Sequence, residues 1–177
     1  DPSRDNLHVN GDTHQFTLDH DLGQGWRTRL GASYRETDLY GEAVDLTGTL
    51  QADGRTLTRR DSWRSLPARD TSVQAEVEGK LQTGGLRHTV LAGVESWRLF
   101  MGQDIRYSTL ASQPFAIDIH TPTYGQAPGN LTPGFDTRDR QRATGLFVQD
   151  QMDLSERWKL LAGVRFDRYH QDYENRL

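Results

Sequence analysis

The 177-residue sequence predicts an all-β chain, an antiparallel up-and-down meander of about six long strands. Three observations carry this reading. Apolar and polar residues alternate with period two in six segments, and helical periodicity is scarce. Tight turns rich in Gly, Asp and Ser join some neighbours, whereas two connections are far longer. The segments also reach ten residues or more, where strands of soluble proteins cluster near ~5–6.

The first strand is expected at 13–22, where Phe16, Leu18 and Leu22 oppose Thr17, Asp19 and Asp21. In the second, 26–37, Trp26, Leu30, Ala32 and Tyr34 share one face, and Arg27, Arg29, Ser33 and Arg35 share the other. The third, 71–82, sets Val73, Ala75, Val77 and Leu81 against Gln74, Glu76, Glu78 and Lys80. Strands at 86–100 and 141–152 follow. The last, 158–172, opposes Trp158, Leu160, Ala162, Val164 and Phe166 to Lys159, Arg165 and Asp167, with Leu161 out of pattern.

Tight turns fall at 21–25, 82–85 and 153–157, and each is followed by a bulky apolar residue, a basic one and an alternating run. The long connections are 37–70 and 102–140. In the first, Asp53-Gly54 signals a small extra hairpin. The second contains Pro114, Pro122, Pro128 and Pro133 and cannot hold a central strand around 127–134.

Composition narrows the function classes. A net charge of -4 does not suggest a nucleic-acid partner. Without cysteine there is no disulfide framework and no thiolate metal site. A mean hydropathy of -0.79 leaves no run suited to a membrane-spanning helix. The charged start, Asp1-Pro2-Ser3-Arg4, is no signal peptide, so the numbering is expected to begin after processing or inside a longer protein. His8, His14, His20, His88, His120 and His170 form no pair or cluster at a ligand spacing, so no metal site is expected. No serine elbow or phosphate loop is present, and no enzymatic role is expected.

A soluble sheet also alternates, with its apolar face packed inward. Strand length, tight turns at one end with long connections at the other, and tryptophans just after two tight turns favour part of a transmembrane β-barrel. The apolar face then meets outer-membrane lipid and the charged face a wet lumen. Trp26 and Trp158 become a girdle at the periplasmic interface, with Tyr34 and Phe166 a membrane thickness higher. Parity places Asp150 on the lipid side, which is tolerable only at the interface. A passive porin or adhesion barrel, or a soluble β-sheet binding module, are the competing readings.

Four segments, "FTLDHDLGQGW", "LQTGGLRHTVLAGVE", "IDIHTPTYG" and "GLFVQDQMDLSERWKLLAGVRFD", resemble the barrel of TonB-dependent ferric-siderophore receptors. The resemblance covers most of the chain, with no plug domain, no energy-coupling box and no aromatic-ended terminal strand. It implies an internal piece, 1–177, of a plugged barrel of roughly 22 strands. It further implies an outer-membrane receptor of a Gram-negative bacterium. The partners would be a ferric siderophore and, through the plug of the full-length protein, TonB. Iron would arrive already chelated, so no cofactor is implied. Ligand contacts are expected from aromatics toward the outer rim, namely Trp97, Tyr107, Phe115 and Tyr124. Arg27, Arg29 and Lys159, low on the lumen wall, are expected to face the plug.

Overall fold

The computed structural model describes residues 1–2, 4–108, 115–127 and 129–177. Its strands are β1 (Asn6–Gly23), β2 (Trp26–Leu50), β3 (Thr56–Thr83), β4 (Leu86–Ser108), β5 (Ile117–Asp118), β6 (Leu131–Asp153) and β7 (Lys159–Asn175). They form a single sheet in the order β1-β2-β3-β4-β6-β7, with two-residue β5 pairing to β3. All neighbours are antiparallel. The expected meander is therefore present, as six long strands and one short one.

The long strands exceed their expected bounds, from 17 residues in β7 to 28 in β3. This corrects both long connections. The segment 37–70 is one continuous hairpin, in which β2 pairs with β3 past Leu46↔Arg59 and turns at residues 51–55. The Asp53-Gly54 signal marks its tip rather than a separate unit. Asp53 caps that tip by accepting from the Arg55 and Thr56 N–H groups, each at 2.9 Å. In the second connection β4 continues to Ser108 and β6 begins at Leu131, with β5 between them. Pro114 and Pro128 lie outside the described residues, and Pro133 sits in β6 at a register shift against β4. Alternation fades in these upper ladders because both faces are polar there, while backbone pairing needs no apolar side chain. At the other end, Trp158 belongs to the turn and β7 starts one residue later, at Lys159.

The tight turns follow from local chemistry. Between β1 and β2, Gln24 (φ 55°) and Gly25 (φ 80°) both lie in the left-handed region, as a type I′ hairpin turn requires. Between β6 and β7, the Leu154 and Ser155 N–H groups donate to the Trp158 carbonyl at 3.0 and 3.1 Å. The Ser155 hydroxyl accepts from the Trp158 N–H at 3.1 Å, closing the loop.

Register decides which side chains share a face, because directly opposed residues point the same way. The ladders place Leu18, Leu30, Ala75, Val94, Leu146 and Phe166 in one transverse row. These side chains have no cover within the chain: Phe16 is 59% exposed, Val164 67% and Phe166 70%. Among the described residues the buried apolar side chains are Ile105, Phe115 and Ile117, all near the upper connections. The sheet thus presents a broad apolar face that this chain itself does not cover. The last large apolar residue before the first charge is Tyr34 on β2, Val73 one row lower on β3, and Val94 a further row lower on β4. From β4 onward the limit stays level, because Val94, Leu146 and Phe166 share one row.

Asp150 does face the apolar side, opposite Val90 and Ala162. It is hydrogen-bonded to His88 Nδ1 at 2.7 Å on the same face, near the tight-turn end. A neighbouring polar partner and a level near the turn are what make this carboxylate tolerable. On that face Trp26 lies across Gly79, where an added Cβ would sit 2.2 Å from the indole.

Two outcomes follow. Gly79→Val in the full-length protein displaces the indole and destabilises by about 1–3 kcal/mol. Gly85→Val, whose Cβ meets nothing within 4 Å, has a smaller effect on the unfolding midpoint in detergent. The second outcome concerns Asp118, in β5. The His120 N–H, aided by the Arg55 guanidinium and the Thr121 N–H, holds its carboxyl down at about 2 against an ordinary 3.8. A depressed folded-state pKa gives stability that is present above pH 3.8 and lost as pH falls toward 2. Hydrogen exchange at His120 and Thr121, corrected for intrinsic rates, loses protection across that window, and Asp118→Asn abolishes the pH dependence.

Candidate functional site

The charged face of the sheet carries the candidate site, and it divides by level along the strands. At the tight-turn end, Arg27 donates to Glu78 at 2.8 Å and Arg29 to Asp19 at 2.7 Å. Lys159 and Arg87 each approach Asp153 at 3.4 Å. Arg27, Arg29 and Lys159 thus lie on one face of the sheet, and each is matched to a carboxylate. Opposite-charge pairs across the ladder hold these long side chains upright on a wet wall.

Halfway up, Arg165 pairs with Asp167 on its own strand and with Glu95 two strands away. The register explains the reach. Gly93, Phe147 and Arg165 are directly opposed across β4, β6 and β7, and Glu95 lies two residues above Gly93. The Phe147 ring lies over Gly93, whose added Cβ would sit 2.5 Å from it, and the guanidinium stacks 5.8 Å from the ring centroid. An aromatic laid across a glycine thus forms a shelf for the arginine that neutralises two acids.

Toward the long-connection end the face becomes aromatic. Trp97 and Tyr169 approach with centroids 6.2 Å apart and planes at 50°. Above them Gln171 donates to both carboxylate oxygens of Asp139 at 3.0 and 2.9 Å, and Gln141 donates to the same group at 2.8 Å. At the top Arg60 lies 3.8 Å over the Tyr107 ring, and Phe135 meets that ring edge-on at 6.4 Å. Arg64 donates to both Asp45 oxygens at 3.1 and 3.2 Å. Cation–π stacking and ion pairing preset the orientation of two arginines beside exposed aromatic surface.

The four expected ligand-facing aromatics separate. Trp97 and Tyr107 lie on the charged face, although Tyr107 is in β4 and not in a loop. Phe115 is 1% exposed; its carbonyl accepts from Arg59 at 2.9 Å and its ring is covered by that guanidinium. Its ring is therefore spent on packing and presents no surface to a ligand. Tyr124 is 55% exposed in the connection between β5 and β6. Arg60, Phe135 and Tyr169 were not singled out from sequence. Tyr169 reaches Trp97 only through two ladders, Trp97↔Ala143 and Ala143↔Tyr169, and no local pattern announces that. Among the described residues, no group of three or more His, Asp or Glu side chains gathers at a spacing suited to a metal ion.

Comparison with known proteins places this arrangement in a family. The chain is 38% identical over 176 residues to the metal-pseudopaline receptor CntO of Pseudomonas aeruginosa, covering 97% of this chain and 24% of that receptor. It is 27% identical over 157 residues to the ferrioxamine B receptor of Salmonella typhimurium, covering 86% of this chain and 21% of that one. The chain therefore spans about a quarter of the length of these relatives. In fold it matches the ferric-catecholate import receptor Fiu of E. coli K12 with a TM-score of 0.76 at 19% identity, covering 96% of this chain and 25% of that one. The siderophore receptor PiuA of Acinetobacter baumannii gives a TM-score of 0.76 at 16% identity, with 97% and 27% covered. The family model for the TonB dependent receptor-like β-barrel matches residues 1–177 throughout. The chain belongs to the TonB-dependent receptors and forms part of their β-barrel.

Proposed function

We propose that this chain supplies wall and part of the outer vestibule of an outer-membrane receptor in a Gram-negative bacterium. The receptor takes up a metal chelate of the ferric-siderophore class with energy delivered through TonB. The family assignment supports the transport class, and the relatives named for pseudopaline, ferrioxamine B and catecholates support a chelate as cargo. One observation carries the placement of the site. Near the tight turns the charged face carries carboxylate–arginine pairs, and near the long connections aromatic rings join such pairs, at Trp97, Tyr169 and Tyr107, with Arg60 over the Tyr107 ring. Rigid aromatic planes with a few oriented polar groups suit a bulky anionic organic chelate.

Uptake in this reading requires no covalent step from this segment. The chelate settles against the aromatic surface, and the metal stays with its own ligands. Arg27, Arg29 and Lys159 lie at the opposite end of the same face, where they would meet the plug. Their matched carboxylates let them exchange partners as the plug shifts, without leaving a bare charge on the wall.

The test uses the full-length receptor in detergent and in cells. Trp97→Ala and Tyr107→Ala each weaken chelate binding by roughly 2- to 10-fold, the worth of one aromatic contact. Phe115→Leu leaves affinity unchanged. Equal affinity and uptake in wild type, Trp97→Ala and Tyr107→Ala would sink this assignment of the vestibule.

A further inference from the structure

The apolar face ends, toward the long connections, in a cluster of arginines that no function described so far employs. Arg98 on β4 is directly opposite Arg142 on β6, and Arg142 is directly opposite His170 on β7. One row higher, Arg69, Phe100 and Arg140 lie side by side on β3, β4 and β6. These six line one groove of about 500 Å³ on the outward side of the sheet. Like charges placed directly opposite in a ladder destabilise it. Among the described residues no carboxylate forms an ion pair with Arg98, Arg140 or Arg142. Arg69 is held by Glu36 at 2.6 Å, and Arg140 has the Phe100 ring at 5.9 Å. Asp172 stands opposite Arg140 in the ladder and makes no ion pair with it. The groove is therefore a site of net positive charge that faces away from the lumen.

Its level supplies the second argument. On β4 and β6 the apolar run ends at Val94 and Leu146, one small polar pair (Ser96 opposite Thr144) follows, and the opposed arginines come next. On β7 Arg168 follows Phe166 at the next outward position. Cations one or two steps beyond an apolar band stand where the acyl chains of a lipid end and its headgroup begins. We propose that this groove binds the phosphate groups of a lipid headgroup in the outer leaflet, with Arg98 and Arg142 sharing one phosphate between them. The planar guanidinium suits phosphate oxygens, and an anion between the two arginines turns their repulsion into attraction. This inference rests on the reading of the apolar face as lipid-facing.

The experiment uses the full-length receptor and, as probe, bisphosphorylated lipid A, scored by native mass spectrometry and by binding in nanodiscs. The double variant Arg98→Gln/Arg142→Gln binds lipid A roughly 30-fold more weakly. Lipid A stripped of both phosphates binds wild type as weakly as the intact lipid binds the variant. Chelate affinity stays at the wild-type value in the variant, since both arginines face away from the lumen, and this shows that the variant is folded. Equal binding of intact and dephosphorylated lipid, or no loss in the folded double variant, overturns the proposal. Millimolar inorganic phosphate that displaces lipid A completely marks a free-anion site and overturns the lipid source. Normal nanodisc insertion with any of these negative results leaves the membrane reading standing, whereas failure to insert refutes that reading itself.

Discussion

Backbone hydrogen bonding between antiparallel neighbours governs everything else in this chain. In an apolar layer no water is available to N–H or C=O groups, so each strand must be paired along its length. The pairing here runs without register shift from Trp26↔Gly79 to Leu46↔Arg59 between β2 and β3, and from end to end between β6 and β7. Once the ladder is continuous, the side-chain period of two leaves each residue one face. Toward the tight turns apolar residues collect on one side and most Arg, Lys, Asp and Glu on the other, without any closed core.

Such a wall has to reconcile a regular backbone with side chains of very unequal size. Glycines opposite large residues provide the room. Trp26 lies over Gly79 on the apolar side, and Phe147 over Gly93 on the charged side. In both cases the flat ring replaces the missing side chain and shields the backbone. The second pair also builds function upward, because the ring that covers Gly93 carries Arg165, which joins Asp167 to Glu95. Charge on this face is consequently paired with opposite charge from Arg27–Glu78 to Arg64–Asp45, and toward the long connections it also lies beside aromatic rings.

Much of this was legible in the sequence for a physical reason. Alternation is a local property, and the membrane imposes it most strictly, so the lower halves of the six long strands are visible in "WRTRLGASYR" and "RWKLLAGVRFD" alike. Above the apolar layer the constraint lapses. There Glu36, Asp38 and Glu42 share the outward face with Tyr40, and a sequence reading takes the stretch for loop although the ladder continues. Asp150 presents the reverse case: its parity was plain, but its partner His88 lies 62 residues away and becomes a neighbour only through pairing of β4 with β6.

The sequence by itself determined the class of structure and the two faces, because residue type at period two is enough to separate apolar from polar positions. It also located the tight turns, where Gly25, Gly84 and Ser155 meet local backbone demands. Only the tertiary structure decided which side chains meet across strands. Trp97 with Tyr169, Arg60 with Tyr107, Arg165 with Glu95 and Arg98 opposite Arg142 all depend on register between strands. Register is set jointly by turn geometry and by every pair in the ladder at once, so no single segment encodes it.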